Sequence, residues 1–251
     1  MAAVPTDAYV LLPPSESKAV GGERGVVGGR FSGPMRSSHE QVRRELRALL
    51  RTGDQAALER VLGVRGPLLE RALTSTKALL AGKAPVLPAW QRYEGVVWSH
   101  LEPATLSAGE RARILVPSGL YGLNAADDLL PDYRLTMKVS LGAVGNVAAH
   151  WRPAVTKALV SLDRPIISLL PKEHENAIDG DALRARGEYQ CIRFVQADGE
   201  GAAGHDAKAV KGVVGGIVLR YGMRGLVGFS WRGWSSRVID GELVVVAPSL
   251  S

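Results

Sequence analysis

The chain has 251 residues, 46% hydrophobic and 22% charged, which suits a globular protein of one large domain or two small ones. Its net charge of +6 favours anionic partners such as nucleic acid, nucleotides or phosphorylated small molecules. A single cysteine, Cys191, excludes an intramolecular disulfide and a cysteine-based zinc site. No signal peptide precedes the first apolar run, and no apolar segment approaches about 20 residues. We therefore expect a cytoplasmic protein.

The first apolar run, residues 8–12, predicts a buried strand. It leads into a loop that carries Ser15, Glu16 and Lys18, and α/β proteins often place ligand-binding groups in such loops. A polar surface loop would have the same composition, so the local sequence does not decide between the two. Residues 19–33 contain six glycines and predict a flexible excursion or a lid.

Three helices are predicted next. Apolar residues at helical spacing indicate an amphipathic helix over residues 39–51 and a second, shorter helix over 54–62. Asp54 is a candidate N-cap for the second helix. Pro67 suits the first turn of the third helix, which is predicted over residues 67–80.

The glycine-containing connection at residues 62–66 makes the segment from about 54 to 80 a candidate helix-hairpin-helix element. Such hairpins offer backbone N–H groups to a phosphate without reading bases. Arg44, Arg47 and Arg65 are candidate nucleic-acid contacts, and binding through them would depend on salt. An ordinary helical hairpin with a solvated basic face is the alternative.

Polar groups also follow the next predicted strand, residues 113–116, where the chain continues into Ser118 and Tyr121. Residues 133–139 alternate between apolar and polar side chains and predict a further strand. Its polar face would carry Arg134, Thr136 and Lys138. This arrangement suits an anionic ligand, although turn glycines and a solvated basic face would produce the same pattern.

Four more strands are predicted from apolar runs at residues 165–170, 189–195, 226–231 and 243–246. Cys191 lies in the second of these runs, which predicts a buried, unreactive thiol.

The last long helix is predicted over residues 205–221. Lys208 and Lys211 are three residues apart and share a face in its first turns. Free N–H groups and the helix dipole favour an anion there, and the two lysines would otherwise oppose the dipole. Either a bound phosphate or carboxylate offsets the unfavourable interaction of the two lysines with the helix dipole, or both lysines are simply exposed.

Six motifs in order along the chain resemble the YaaA family, also called the DUF328 or UPF0246 family. The opening loop reads LLPPSESK at residues 11–18, where the family has LLPPSEGK. Further matches are RYEGVVW at 92–98, SGLYG at 118–122, YRL at 133–135, WRP at 151–153 and HDAKAVKG at 205–212.

This resemblance implies a single α/β (α+β) domain over residues 1–251, with a central mixed β-sheet flanked by helices, a helix-hairpin-helix element and a positively charged cleft. Family members are described as binding DNA and as protecting cells from peroxide by limiting free iron. The chain departs from the family pattern beside several motif residues, which suggests a specialised member with its own small-molecule substrate. The departures are Ser17, Thr136, Lys138, Ser168 and His150.

Two functions follow as alternatives. The first is a peroxide-stress protein whose hairpin and basic cleft bind double-stranded DNA or nucleotide phosphates. The second is an enzyme acting on a nucleotide or another phosphorylated small molecule. For the second, candidate ligand-binding residues are Ser15, Ser118, Arg134, Lys138, Lys208 and Lys211. Candidate proton-transfer residues are Glu16, with Lys18 as its charge partner, Tyr121 and His205.

No cofactor is expected, because the sequence lacks a P-loop, a dinucleotide fingerprint, a GxSxG elbow and an HExxH motif. None of the five histidines pairs with another at ligand spacing, so no dedicated metal site is expected. If the motifs build one site, Lys18, Tyr121, Arg134 and Lys208 should line a single cleft. Glu16 should then lie within hydrogen-bond reach of a basic partner.

Overall fold

A computed structural model describes residues 7–187, 189–239 and 241–248. Its strands are β1 (Tyr9–Leu11), β2 (Val86–Pro88), β3 (Ile114–Ser118), β4 (Gly122–Ala125), β5 (Leu129–Pro131), β6 (Ser140–Leu141), β7 (Gly145–Asn146), β8 (Ile166–Ser168), β9 (Tyr189–Cys191), β10 (Arg193–Val195), β11 (Ser230–Trp231), β12 (Trp234–Ile239) and β13 (Glu242–Val246). Its α-helices are α1 (Ser32–Thr52), α2 (Gln55–Leu62), α3 (Pro67–Leu80), α4 (Ala89–Arg92), α5 (Val96–Leu101), α6 (Ala108–Arg111), α7 (Val147–Val160), α8 (Lys172–Glu175), α9 (Gly180–Arg184) and α10 (Gly204–Tyr221).

The main sheet has the strand order β4-β3-β1-β8-β9. Strands β3, β1, β8 and β9 are parallel, and β4 is an antiparallel edge strand. All three residues of the central strand β1 are buried, as expected for a parallel strand covered on both faces. The predicted α/β class with a mixed sheet is therefore confirmed, and the carboxyl ends of four strands meet at one edge.

A second sheet, in the order β10-β13-β12-β11, takes up the C-terminal strands. The single strand predicted over residues 189–195 is wrong, because the chain changes sheets at Ile192. Strand β9 pairs with β8, whereas β10 pairs with β13. The strand predicted over residues 226–231 is also shorter than expected: a 3₁₀ turn occupies Gly222–Leu226, and only Ser230–Trp231 pair with β12.

The predicted strand over residues 133–139 is wrong, although its alternation is real. Tyr133, Leu135 and Met137 are buried, while the polar residues between them are half-buried or exposed. The segment forms no ladder with another strand of the described chain, so packing alone sets its alternation. Its backbone lies directly against Gly119, the first residue after β3, where an added Cβ would lie 2.9 Å from the Leu135 carbonyl carbon.

The helices of the hairpin follow the prediction closely. Asp54 caps α2, since its Oδ1 accepts a hydrogen bond from the Ala57 N–H at 3.0 Å. Helix α3 begins at Pro67 as predicted. Helix α1 instead starts at Ser32, earlier than expected, because Pro34 is tolerated in a first helical turn. No helix in the described ranges combines the length and apolar character needed to cross a membrane.

The glycine-rich segment 19–33 is held against the body of the protein by Arg92, which is fully buried. The guanidinium donates to the carbonyl oxygens of Leu130 at 3.0 Å and Gly21 at 3.0 Å, and also to those of Pro85 and Ala19. In return, the Ala19 N–H donates to the Arg92 carbonyl at 2.9 Å. The start of this segment is thus tied to the core by hydrogen bonds from both the side chain and the main chain of Arg92.

Gly119→Ala tests the close approach that positions residues 133–138. We expect it to lower the free energy of unfolding by about 1–3 kcal/mol, because the new methyl group meets backbone that cannot rotate away. Gly109→Ala, on exposed α6 with open space around its Cα, is the control and should be neutral or slightly stabilising. Urea unfolding measures both variants, and equal stabilities would contradict the packing described.

Candidate anion-binding cleft

A cleft of about 500 Å³ opens at the carboxyl edge of the parallel strands. The loop after β1 forms one wall, and Gly119 after β3 and the loop after β8 contribute others. Residues 133–138 and the first turns of α10 complete the lining. Ligands of open α/β sheets bind at this edge.

The lining is strongly basic. Its five basic side chains face only two carboxylates, Glu16 and Glu173. The basic residues are Lys18, Arg134, Lys138, Lys208 and Lys211. Together with Ser15 and Glu16, seven of the ten predicted ligand-binding or proton-transfer residues therefore lie around one cleft.

Glu16 pairs with Arg134 and not with Lys18, its expected partner. Arg134 Nη2 lies 3.1 Å from Glu16 Oε2, and Nη1 donates to the Glu16 main-chain carbonyl at 3.3 Å. The planar guanidinium matches this pair of acceptors better than an ammonium group does. The predicted basic partner for Glu16 is present, but the direct ion pair is with Arg134, and Glu16 acts on Lys18 only through space.

Lys18 is 5% exposed, and its ammonium group has little polar contact. The Nζ donates to the Ser15 carbonyl at 2.7 Å and lies over the Tyr133 ring, 4.2 Å from the centroid. The pKa of Lys18 is lowered to about 7, chiefly by burial, with nearby Arg134 and Arg92 contributing in the same direction. Asp132 and Glu16 oppose this shift without contacting Nζ. A large share of Lys18 is therefore uncharged near neutral pH.

Ser118 and Tyr121 lie behind the cleft wall and do not line it, contrary to expectation. Ser118 is fully buried, and its Oγ forms a 2.8 Å hydrogen bond with the Tyr133 hydroxyl, which is in turn 2.7 Å from the Tyr93 hydroxyl. Burial raises the pKa of Tyr133 to about 12 and that of Tyr121 further. Tyr121 packs edge-on against Tyr133, so these residues support the wall as neutral groups.

Helix α10 points its N-terminus at the cleft, where Ala203, Gly204 and Lys208 line the wall. The N-cap residue is Ala203, and no side chain of the described residues caps this end, so its first N–H groups are open to an anion. Burial lowers the pKa of Lys211, one turn further on, to about 8. His205, which was expected at this site, is exposed and is not among the residues that line the cleft.

His174 is a site residue that the sequence analysis missed. It lines the cleft from the short helix α8, which follows β8, and burial lowers its pKa to about 4, with Lys211 adding to the effect. Glu173 Oε1 is 3.6 Å from its Nδ1, too far for a hydrogen bond, so the ring is neutral. Its signal in the sequence is its position: like the polar residues that follow β1 and β3, it follows the carboxyl end of a parallel strand, here β8. Within the described ranges, no three histidine, cysteine or acidic side chains group as metal ligands would.

A second cavity of about 250 Å³ adjoins the cleft and shares Lys18, Tyr133 and Arg134 with it. Arg71 of α3 lines this cavity and binds Asp132 Oδ2 through Nε at 3.1 Å and Nη2 at 2.9 Å. The same Nη2 donates to the Lys18 main-chain carbonyl at 2.8 Å. Helix α3 therefore supports the loop that carries Lys18.

The arginines proposed to contact nucleic acid lie away from the cleft. Arg44 and Arg47 are exposed on α1, and Arg65 lies in the connection between α2 and α3. The side chain of Arg65 is 86% exposed, with Glu59 Oε2 3.3 Å from its Nε. None of the three lines either cavity.

Cys191 is half-buried at the end of β9, and its Sγ lies 3.9 Å from Glu175 Oε1. The Tyr189 hydroxyl donates to Glu175 Oε2 at 2.8 Å, and Ser168 Oγ donates to Oε1. Burial raises the pKa of the Cys191 thiol, with the Glu175 carboxylate adding to it. The thiol is thus less buried than predicted, and its raised pKa disfavours the reactive thiolate.

Comparison with known proteins gives a consistent result. The family model described as peroxide stress protein YaaA matches residues 9–235. A UPF0246 protein of Streptomyces coelicolor is 33% identical over 215 residues, covering 81% of this chain and 79% of the relative. A UPF0246 protein of Corynebacterium efficiens is 33% identical over 169 residues, covering 64% of this chain and 65% of the relative.

Stability should depend on pH through Lys18. Its folded pKa of about 7 lies below the ordinary value of 10.5, so the unfolded chain binds more protons between these values. The free energy of unfolding therefore gains up to about 1.4 kcal/mol per pH unit across this window from Lys18. Urea unfolding from pH 7 to 10 should show a shallower rise for Lys18→Met. Lys83→Met, at an exposed position, should match the wild type. If the free energy of unfolding rises equally with pH in all three proteins, the lowered pKa of Lys18 is refuted.

Proposed function

This chain belongs to the YaaA peroxide stress protein family, and we propose that its cleft binds a phosphate-bearing small molecule of about nucleotide size. The observation that carries the proposal is the convergence of five basic side chains and an uncapped helix N-terminus on one cavity. Of the two carboxylates there, Glu16 is already paired with Arg134. The excess positive charge is therefore available to a ligand.

The size of the cleft favours a small molecule over a duplex. A volume of about 500 Å³ lies within the range of about 300–1,000 Å³ that encloses small ligands. Its lining also includes apolar surface from Val97, Trp98 and Leu135, which suits the base or carbon skeleton of such a ligand. Three departures from the family pattern, Ser17, Thr136 and Lys138, face the same cavity and would adapt it to a ligand of this chain's own.

The family's name links its members to peroxide stress, and ligand binding in the cleft would serve that response here. Chemistry on the ligand would not use the expected Glu16–Lys18 acid–base pair, since Arg134 holds Glu16. The group most suited to react is the Lys18 amine, because it is buried and only partly protonated near neutral pH.

A thermal-shift screen over nucleotides and sugar phosphates tests this proposal. A ligand at about 100 times its Kd should stabilise the protein by about 2.7 kcal/mol and raise Tm by about 5–10 °C. Lys208→Ala should weaken binding about 10- to 100-fold, because a charged hydrogen bond to the phosphate is lost. Lys157→Ala, on the exposed face of α7, is the matched control and should bind like the wild type. The proposal fails if no compound stabilises the protein, or if both variants behave alike.

A second candidate function is salt-dependent binding of double-stranded DNA by the α2–α3 hairpin. Gly63 and Gly66 in its connection adopt positive φ angles of 67° and 55°, with open space beside both. The exposed Arg65 lies between them. Backbone N–H groups and an arginine at such a turn suit contacts to DNA phosphates.

DNA binding would fall steeply with salt, and each lost phosphate contact would reduce the slope of log K against log [salt] by about 0.9. We expect Arg65→Ala to reduce both affinity and slope, and Arg44→Ala to act in the same way if α1 also touches DNA. Lys157→Ala again provides the control. Filter binding or fluorescence anisotropy at several salt concentrations measures the slope. Absence of binding at low salt, or indifference to both arginine variants, would exclude this function.

A further inference from the structure

Lys18 lines both cavities, and it is the one lysine that they share among the described residues. The ammonium has three donors, yet its one hydrogen bond within the described residues goes to the Ser15 carbonyl. The Nζ lies over the faces of Tyr133 and Tyr93, with ring centroids 4.2 and 5.6 Å away. This surrounding is largely apolar.

The two carboxylates that act on Lys18 through space are both bound by arginines. Glu16 is held by Arg134 at 3.1 Å, and Asp132 by Arg71 at 2.9 Å. No carboxylate of the described chain forms an ion pair with Lys18 Nζ, although Arg134 and the buried Arg92 both lie near enough to repel its charge. A lysine whose only task was to hold a phosphate would work as a stable cation, as the exposed Lys138 and Lys208 can.

We propose that Lys18 binds its ligand covalently, by forming an imine with the carbonyl carbon of a phosphorylated aldehyde or ketone. The proposal rests on the proposed function, since the basic residues of the cleft would hold the phosphate while Nζ meets the carbonyl. Desolvation and neighbouring cations are the conditions under which lysine amines become nucleophiles.

The reaction balances without a further reactant. The Nζ lone pair attacks the carbonyl carbon, and the carbonyl oxygen takes up a proton to give a carbinolamine. Loss of that oxygen with two hydrogens as water leaves a carbon–nitrogen double bond, and nothing is oxidised or reduced.

Pyridoxal phosphate, which carries both an aldehyde and a phosphate, is a suitable probe. The full chain is incubated with it at pH 7, reduced with borohydride to fix any imine, and digested for peptide mass spectrometry. We expect the adduct at Lys18 to exceed that at the exposed Lys77, Lys83 and Lys157 by at least about tenfold, because ordinary lysines are almost fully protonated at this pH. Pyridoxal, which lacks the phosphate, should label Lys18 less, and inorganic phosphate should compete with pyridoxal phosphate.

Lys18→Arg should abolish the adduct, whereas Lys83→Arg should retain it. The site mapping and phosphate competition use the wild-type protein, so the test does not depend on the Arg variant folding.

Labelling confined to exposed lysines or to Lys211 would overturn the proposal. If nucleotides or phosphate stabilise the protein but no Lys18 adduct forms, the imine fails while the phosphate site stands. Equal labelling of Lys18 by both aldehydes, without competition by phosphate, would support the reactive amine and overturn the phosphate site.

Discussion

The cleft depends on a buried arginine that has no carboxylate partner among its hydrogen-bonding groups. The Arg92 guanidinium donates four hydrogen bonds to main-chain carbonyls from three separate parts of the chain. Burying a charge is costly unless it is hydrogen-bonded, so the arginine and the loops around it fix one another. The neighbouring Lys18 pairs with Tyr93 in a β-bridge, and the Glu94 N–H donates to the Ser17 carbonyl at 3.1 Å. The backbone of the loop after β1 is therefore set by Arg92 and the residues that follow it.

Arginine and lysine have different tasks around the cleft because their donors differ in shape. The planar forks of Arg134 and Arg71 bind a carboxylate and a main-chain carbonyl at once, which neutralises Glu16 and Asp132. The lysines have no such fork. Lys138 and Lys208 are exposed at the cavity, whereas Lys18 is buried in its wall. The arginines thereby hold the walls together, and the lysines supply the charge and the amine that a ligand would meet.

The sequence predicted the parts of the site that follow from strand direction. Loops after β1 and β3 lie together because both strands are parallel, and Lys208 and Lys211 reach the same edge because α10 starts there. It could not predict which cation would bind Glu16, since Lys18 is adjacent in sequence whereas Arg134 is far along the chain. The alternation over residues 133–139 correctly predicted which side chains are buried. It could not show that no strand of the described chain pairs with this segment. The exposure of His205 depends on where α10 begins relative to the sheet, which no local pattern encodes.

The two candidate functions share one structural support in α3. This helix begins at the hairpin connection, and one turn later Arg71 holds both Asp132 and the main chain of Lys18. Loss of Arg71 would therefore disturb the ligand cleft and the hairpin together, and could not show which of them binds an anion. Lys208 lines the cleft, and Arg65 lies in the hairpin connection and lines neither cavity, so they are the residues that separate the two functions. The two surfaces are distinct, but α3 supports both of them. A phosphate ligand in the cleft and a polyanion on the hairpin would therefore both contact structure that α3 holds in place.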